Sequence, residues 1–250
     1  MVEIYKNEVP SLVLEDDSFL FHGTSNLSEQ NLDSGITNSY TPVSFEIVDN
    51  IVSIYKKMSW WGKNSGGYGV LNSYSIRDRT EKGKCFFLGE TAQRCSLYAS
   101  KEFAGGELTR SVYHSINDLN IFLTDVTIRD HHKRTIEKDY EYYGPYNPVD
   151  LDWLAQQIVP LKQVFSDLEE LKNSYKYGVI YGYKIEEVDY TNLIYSKYGM
   201  GFKVSEPLPL DRLKVKLIFD PPVENHFGNI FSDKLRIQRE MIWSKRIKMG

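Results

Sequence analysis

The order of strand-like and helix-like segments along the chain is the feature that most constrains its fold. Short runs rich in β-branched and aromatic residues, bounded by Pro and Gly, are typical of strands. Strands are predicted at 18–21, 85–88, 120–126, 178–185, 192–195, 203–204, 214–219 and 235–243. Helices are predicted at 92–103, at 107–118 and over 151–172, where Pro160 interrupts the apolar pattern and predicts either two helices or one kinked helix. Many strands with a few segregated helices predict an α+β fold.

Composition and length exclude several classes of protein. Hydrophobic residues make up 41% and charged residues 26% of the chain, as in ordinary globular proteins. No stretch approaches the ~18 consecutive apolar residues of a membrane span, so we expect no membrane partner. The N-terminus carries Glu3 and Glu8 and has no apolar secretory core, which predicts a cytoplasmic protein. A length of 250 residues predicts one elaborated domain over 1–250.

An inserted or elaborated segment is predicted around 129–176. Its first part is polar and rich in tyrosine, with Tyr140, Tyr142, Tyr143 and Tyr146, and is expected to be exposed. The region 59–84 contains many Gly and charged residues, which favours a long irregular loop, and loops of that length are usually functional.

The sequence shows no metal-ligand pattern. Cys85 and Cys95 are ten residues apart, which is not a metal-ligand spacing, and we expect both to be reduced and buried. His131 and His132 are adjacent, so they are interpreted as surface residues. The net charge of −4 provides no overall basic field for nucleic acid, although a local patch remains open.

His22 and Gly23 follow an apolar strand and are the first candidates for a site. A glycine lets a ligand approach the main chain, where N–H and C=O together can hold an amide. Thr24 and Ser25 add two hydroxyl groups to the same place. A purely structural, hydrogen-bonded histidine is the alternative interpretation.

Two motifs resemble the ADP-ribosyltransferase fold in its diphtheria-toxin and poly(ADP-ribose) polymerase branch. The run Phe19-Leu20-Phe21-His22-Gly23-Thr24-Ser25 resembles the strand of that family that ends in His-Gly-Ser/Thr. The run Lys84-Cys85-Phe86-Phe87-Leu88, followed by Ser96 and Tyr98, resembles its second strand and a Ser-x-x-Tyr helix, with Phe where the family usually has Tyr. The resemblance implies a split β-sheet core with flanking helices and, in this chain, a helical insertion.

A late acidic residue completes the family pattern, and two candidates compete for it. Gln238-Arg239-Glu240 resembles the Gln-x-Glu of many such transferases, so we favour Glu240. Glu206 is the rival, but Pro207 directly after it fits the pattern less well.

The resemblance also implies how the chain would bind and cleave NAD, used as a co-substrate without a metal. His22 would contact a ribose hydroxyl, the Gly23 backbone would hold the carboxamide, and Phe86 or Phe87 would stack on the nicotinamide. Thr24 is counted among the residues that would bind NAD. Tyr98 would form a second aromatic wall. Glu240 would stabilise the ribosyl cation, and Gln238 would point toward the acceptor.

The activity expected from this resemblance is mono-ADP-ribosylation of a macromolecule. Around Glu240 the sequence is basic, with Lys234, Arg236, Arg239, Lys245, Arg246 and Lys248. A basic rim there would bind phosphates, which favours RNA or DNA slightly over protein as the acceptor, and a solubilising C-terminal face is the alternative interpretation. The resemblance extends to bacterial or phage toxins and defence effectors, which makes an antitoxin a candidate partner. The alternatives are an NAD glycohydrolase and a catalytically silent module that binds through the same cleft.

Overall fold

The protein is α+β and divides into two compact units. The computed structural model describes residues 3–6, 19–27, 43–58, 71, 86–89, 92–184, 193–196, 201–204, 208 and 210–219. The sheet unit comprises Met1–Tyr40, Gly83–Gly106 and Ser174–Gly250, and the helical unit comprises Thr41–Lys82 and Glu107–Asn173. The expectation of a single domain with an elaboration around 129–176 stays a prediction; residues 129–173 lie in the helical unit.

The elements follow one another along the chain as follows. The strands are β1 (Glu3–Lys6), β2 (Phe19–Ser25), β3 (Phe86–Gly89), β4 (Gly178–Lys184), β5 (Leu193–Ser196), β6 (Gly201–Val204) and β7 (Leu213–Phe219). The helices are α1 (Phe45–Lys57), α2 (Ala92–Ser96), α3 (Gly106–Thr124), α4 (Val126–Lys138), α5 (Tyr140–Tyr143), α6 (Leu151–Ile158) and α7 (Leu161–Ser174). Short 3-10 turns lie at Lys101–Phe103 and Leu210–Arg212.

The described strands form one sheet in the order β1-β7-β4-β2-β3-β6-β5. β1 runs parallel to β7, and the other neighbours are antiparallel. β2 pairs with β4 along its whole length, whereas among the described residues its register with β3 consists of the pair Phe21–Gly89. The sheet therefore consists of a block β1-β7-β4-β2 and a block β3-β6-β5. We call the junction between β2 and β3 the seam.

α2 packs directly on β2 and β4 because two glycines leave room for it. A Cβ on Gly23 would overlap the carbonyl oxygen of Cys95, and one on Gly178 would overlap that of Ala99. The Cys95 thiol donates a hydrogen bond of 3.1 Å to the Phe21 carbonyl oxygen. The main chain of the α2 segment is thus in direct contact with the main chain of the sheet, which only Gly at both positions permits.

Apolar side chains on that face of the sheet close the core of the sheet unit. The buried cluster consists of Phe19, Phe21, Ala92, Cys95, Ala99, Ile180, Val215, Leu217 and Phe219. On β7 the buried residues alternate with half-buried ones, as expected for a strand with one face on a core.

The helical unit has its own core, formed mainly by apolar side chains of α1, α3, α6 and α7. The Tyr55 hydroxyl crosses this core and donates a hydrogen bond of 3.0 Å to the Ser115 carbonyl oxygen. Ser44 and Asp150 cap α1 and α6, as short polar side chains do at helix N-termini.

The strand predicted at 120–126 is wrong. Residues 120–124 continue α3, and Asp125 caps α4 by accepting hydrogen bonds from the main-chain N–H groups of Thr127 and Ile128. Arg129 then donates to the carbonyl oxygens of Phe122 and Leu123, which satisfies the C-terminal end of α3. An apolar run of this length fits a buried helix turn as well as a strand, and the capping aspartate marks the true boundary.

Several other predictions can be compared with the structure. Two helices separated at Pro160 are confirmed, as is a helix over 107–118. The helix predicted over 92–103 ends at Ser96, although Ala92, Cys95, Ala99 and Phe103 are all buried as the stripe predicted. The sequence analysis missed β1. The segment 129–148 carries α4 and α5, with Tyr140 and Tyr142 exposed.

Some predictions fall outside the described residues. These are the loop 59–84 apart from Leu71, the strand 235–243 and the environment of Cys85. Cys95 is a buried free thiol, as expected.

The surface position predicted for His132 is wrong. Its side chain is 2% exposed and lies edge-on to the rings of Phe122 at 5.6 Å and Tyr146 at 6.0 Å. Burial, and to a smaller degree the neighbouring His131, lowers the pKa of His132 to about 4. Only the uncharged imidazole is therefore compatible with the folded helical unit at neutral pH.

We expect Gly23→Ala to destabilise the protein by about 3 kcal/mol, because a methyl group would displace the Cys95 main chain. Gly182→Ala is the matched control on the neighbouring strand. The three atoms nearest to its added Cβ would be side-chain atoms of Phe21 and Val215, at 3.1–3.3 Å. Urea unfolding of both variants measures the difference; equal losses would contradict the close-packing argument.

We expect the free energy of unfolding to fall between pH 6.5 and pH 4 because of His132. The unfolded chain protonates this imidazole at its ordinary pKa of 6.5, whereas the folded chain resists protonation down to about 4. The contribution of His132 to the free energy of unfolding is therefore fully present above pH 6.5. That free energy decreases by about 3 kcal/mol as the pH falls to 4.

The measurement compares urea unfolding of the wild type, His132→Phe and His131→Phe across that range. His132→Phe should remove this part of the pH dependence. His131→Phe, at an exposed neighbouring position, should keep it. A pH dependence unchanged by His132→Phe would show that another group causes it.

Candidate functional site

β2 presents two different faces to its surroundings. Its residues alternate, so Phe19, Phe21 and Gly23 face α2, whereas Leu20, His22 and Thr24 lie on the opposite face. Leu20 is fully buried there, while His22 and Thr24 are half-buried. The candidate site is therefore on the face of the sheet that α2 does not cover.

The prediction that His22 ends the strand is wrong. β2 continues through Ser25, and His22 pairs with Tyr181 of β4 in the middle of the strand. β2 reaches Ser25 for two reasons. Gly23 and Gly178 allow α2 to pack on this part of the sheet, and the residue after β2 is hydrogen-bonded to the residues before β4. The side-chain oxygen of Asn26 accepts hydrogen bonds from the main-chain N–H groups of Lys176 and Tyr177.

A row of three side chains runs from His22 across neighbouring strands. His22 pairs with Tyr181 on β4, and Tyr181 pairs with Lys216 on β7. The Tyr181 side chain is 2% exposed, and the Lys216 ammonium lies 6.0 Å from the centre of its ring. We call His22, Tyr181 and Lys216 the cross-strand row.

Gly23 is buried, and its missing side chain is explained by the carbonyl oxygen of Cys95. Its main chain pairs with Ile180 on one side. The register between β2 and β3 does not extend beyond Phe21–Gly89, so β3 does not pair with Gly23 on the other side. Packing thus requires a glycine at position 23. The main-chain groups of Gly23 on the side toward β3 are not part of the β2–β3 pairing.

Phe86 and Phe87 lie on β3, the strand next to β2. Their main chains pair with Val204 and Lys203 of β6. The two sequence motifs are thus on adjacent strands, one on each side of the seam.

Tyr98 lies in the turn after α2 and is 38% exposed, with its ring edge-on to Phe103 at 5.1 Å. The segment that carries it packs on the α2 face of β2, opposite to the face from which His22 projects. A ligand that contacted both His22 and Tyr98 would have to pass across the seam.

The acidic candidates lie outside the described residues. These are Glu240 and Glu206, together with Gln238 and the basic segment 234–248. In the sequence, Glu206 follows Val204, the β6 partner of Phe86, by two positions.

The described residues contain no group of three or more His, Cys, Asp or Glu side chains placed to hold a metal ion. None of their helices combines the length and the apolar character needed to cross a membrane.

Comparison with known proteins adds no relative. No protein-family model, curated protein or solved structure matches the chain. The site must therefore be judged on its own geometry.

Sequence reasoning missed Tyr181 and Lys216 as neighbours of His22. The strand periodicity of β7 shows that Lys214, Lys216 and Ile218 are not core residues, because they alternate with buried ones. Periodicity does not give the register that brings Lys216 level with Tyr181 and His22, so the row could not be found from the sequence.

Tyr183 adjoins the row and carries a buried hydroxyl with no hydrogen-bond partner among the described residues. Burial, and to a smaller degree Asp211, raises the pKa of Tyr183, so its hydroxyl stays protonated. An unsatisfied buried hydroxyl destabilises the fold.

We expect Tyr183→Phe to leave the free energy of unfolding unchanged or to raise it, because no hydrogen bond is lost. Tyr55→Phe is the matched control at an equally buried position, and it should lower that free energy by about 1 kcal/mol through loss of its bond to Ser115. Denaturant unfolding measures both changes. A larger loss for Tyr183→Phe than for Tyr55→Phe would contradict this assignment.

Proposed function

We propose that the chain is an NAD-dependent mono-ADP-ribosyltransferase that modifies a macromolecular acceptor, with nucleic acid favoured over protein. One observation carries the proposal. The two sequence motifs, His22–Thr24 and Phe86–Phe87, lie on adjacent strands on either side of the seam. In the described part of β3 the register with β2 is the pair Phe21–Gly89, so it does not include the main-chain groups of Gly23.

The seam offers the kinds of group that a nicotinamide needs. Main-chain N–H and C=O groups of one residue can bind both ends of a carboxamide. Gly23 supplies such groups on its main chain, while the space of its missing side chain is filled by the Cys95 carbonyl oxygen. His22, half-buried beside it, would hydrogen-bond a ribose hydroxyl, with Thr24 one residue beyond Gly23 on the same face.

In the proposed reaction the bond between nicotinamide and ribose breaks, and nicotinamide leaves with the electron pair. The ribosyl group develops positive charge, as in glycoside hydrolysis. A carboxylate stabilises this charge and accepts the proton of the acceptor as the new bond to ribose forms. Glu240 is our first choice for that carboxylate and Glu206 our second, with Gln238 oriented toward the acceptor.

The basic segment that surrounds Glu240 in the sequence supports nucleic acid as the acceptor. Lys and Arg side chains beside the reacting ligand would attract the phosphate groups of a nucleic-acid acceptor. An effector of a toxin or defence system, controlled by an antitoxin, is the biological setting that we propose for such an activity.

The test is transfer of label from NAD to RNA, DNA and protein acceptors. We expect His22→Ala and Glu240→Gln to lower the rate at least about 100-fold, because each removes a preorganised contact to the reacting ribose. His131→Ala is the matched control, since it removes an exposed histidine. Sensitivity of the labelled product to nuclease or protease identifies the acceptor.

Each other result has a defined meaning. Loss of activity in Glu206→Gln but not in Glu240→Gln would transfer the acidic role to Glu206. Equal rates for His22→Ala and His131→Ala would refute the site. Release of free ADP-ribose at one rate with and without acceptor would show a glycohydrolase, and NAD that is bound but never cleaved would show a silent module.

A further inference from the structure

We propose that the exposed turn around α5 binds a cationic segment, rich in arginine and lysine, of a partner protein. The surface consists of Asp139, Tyr140, Glu141 and Tyr142, and we call it the tyrosine turn. It belongs to the helical unit, and the inference does not depend on the proposed function.

The tyrosine turn presents aromatic surface that contributes nothing to a core. α5 has no buried residue, and the side chains of Tyr140 and Tyr142 are 59% and 82% exposed. A single exposed aromatic residue needs no explanation, but two in one helical turn form a patch. Tyrosine is enriched at protein interfaces because it combines a large apolar ring with a polar hydroxyl group.

Hydrogen bonds and ring packing hold the tyrosine turn in one conformation. At its start, the main-chain N–H group of Tyr142 donates to the Asp139 carbonyl oxygen at 3.0 Å. At its end, Gly144 donates to the Tyr140 carbonyl oxygen at 2.8 Å and has a φ of 76°, which favours glycine. Two residues later, the Tyr146 ring packs against α4. A turn fixed in this way loses little further conformational entropy when a partner binds.

The charge around the two exposed rings is negative. Residues 137–152 contain five carboxylates and one lysine. Asp139 and Glu141 are exposed on either side of Tyr140, and neither carboxylate forms an ion pair among the described residues. α4 ends at this point, so the negative end of its helix dipole adds to the two carboxylates. Aromatic rings beside carboxylates favour a cation and disfavour the phosphate groups of nucleic acid.

The helical unit contains the same combination of groups with a cation in place. The Lys172 ammonium lies 4.2 Å from the centre of the Tyr113 ring, and the Tyr113 hydroxyl is hydrogen-bonded to Glu169. In the described part of the chain, no ammonium or guanidinium group lies over the ring of Tyr140 or Tyr142. The tyrosine turn therefore has the aromatic and acidic groups of a cation site, and the partner would supply the cation.

The experiment measures binding of a fluorescent peptide of arginine, lysine and glycine to the full-length protein by anisotropy. We expect the double variant Tyr140→Ser/Tyr142→Ser to weaken binding about tenfold, as for the loss of two cation–π contacts. Tyr140→Phe/Tyr142→Phe should retain the affinity, because both rings remain. Asp139→Asn/Glu141→Gln should weaken binding and make it less sensitive to salt.

Two matched controls lie elsewhere in the helical unit. Asp130→Asn/Glu170→Gln removes two exposed carboxylates, and Val126→Ser removes an exposed apolar side chain. Both controls should bind the basic peptide as the wild type does. The serine double variant should keep the urea midpoint of the wild type, which separates loss of the surface from loss of the fold.

Four other results would each overturn the proposal. The first is a wild-type protein that does not bind the basic peptide. The second is an equal loss in the charge control, which would show attraction to the overall negative charge. The third is binding of a single-stranded oligonucleotide that depends on the two tyrosines, which would make the partner a nucleic acid. The fourth is self-association that the serine double variant abolishes in sedimentation, which would make the partner a second copy of the chain.

Discussion

Main-chain contact between α2 and the sheet is the constraint on which the sheet unit depends. Gly23 and Gly178 lie beneath the carbonyl oxygens of Cys95 and Ala99, and the Cys95 thiol bonds the Phe21 carbonyl oxygen. The Tyr175 hydroxyl also donates to the Ala99 carbonyl oxygen, which ties the approach to β4 to the same turn. With one face of β2 filled in this way, His22 and Thr24 are left on the other face.

The same packing sets up the seam. α2 directly follows β3 in the chain, so fixing α2 on β2 and β4 also fixes where β3 can lie. Among the described residues, β3 then pairs fully with β6 and with β2 at Phe21–Gly89. The proposed function is located at this junction because the two sequence motifs lie on either side of it.

Local sequence signals predicted much of the fold, and the errors have physical causes. Pro160 separates two helices, and runs of β-branched and aromatic residues mark β4 and β7 as strands. Residues 120–126 were mistaken for a strand because a short apolar run fits either element, and the capping by Asp125 decided the outcome. His132 was placed on the surface because adjacent histidines carry no periodic signal, whereas the folded helical unit buries one and exposes the other.

The sequence by itself determined the α+β class, most element positions and the order of the two motifs, since these depend on residues close together in the chain. Only the tertiary structure decided that His22 lies within a strand, that Gly23 is required by Cys95, and that Tyr181 and Lys216 lie level with His22. The reason is that strand register and helix approach depend on packing between segments far apart in the chain, and a pattern with a period of two residues is compatible with many registers.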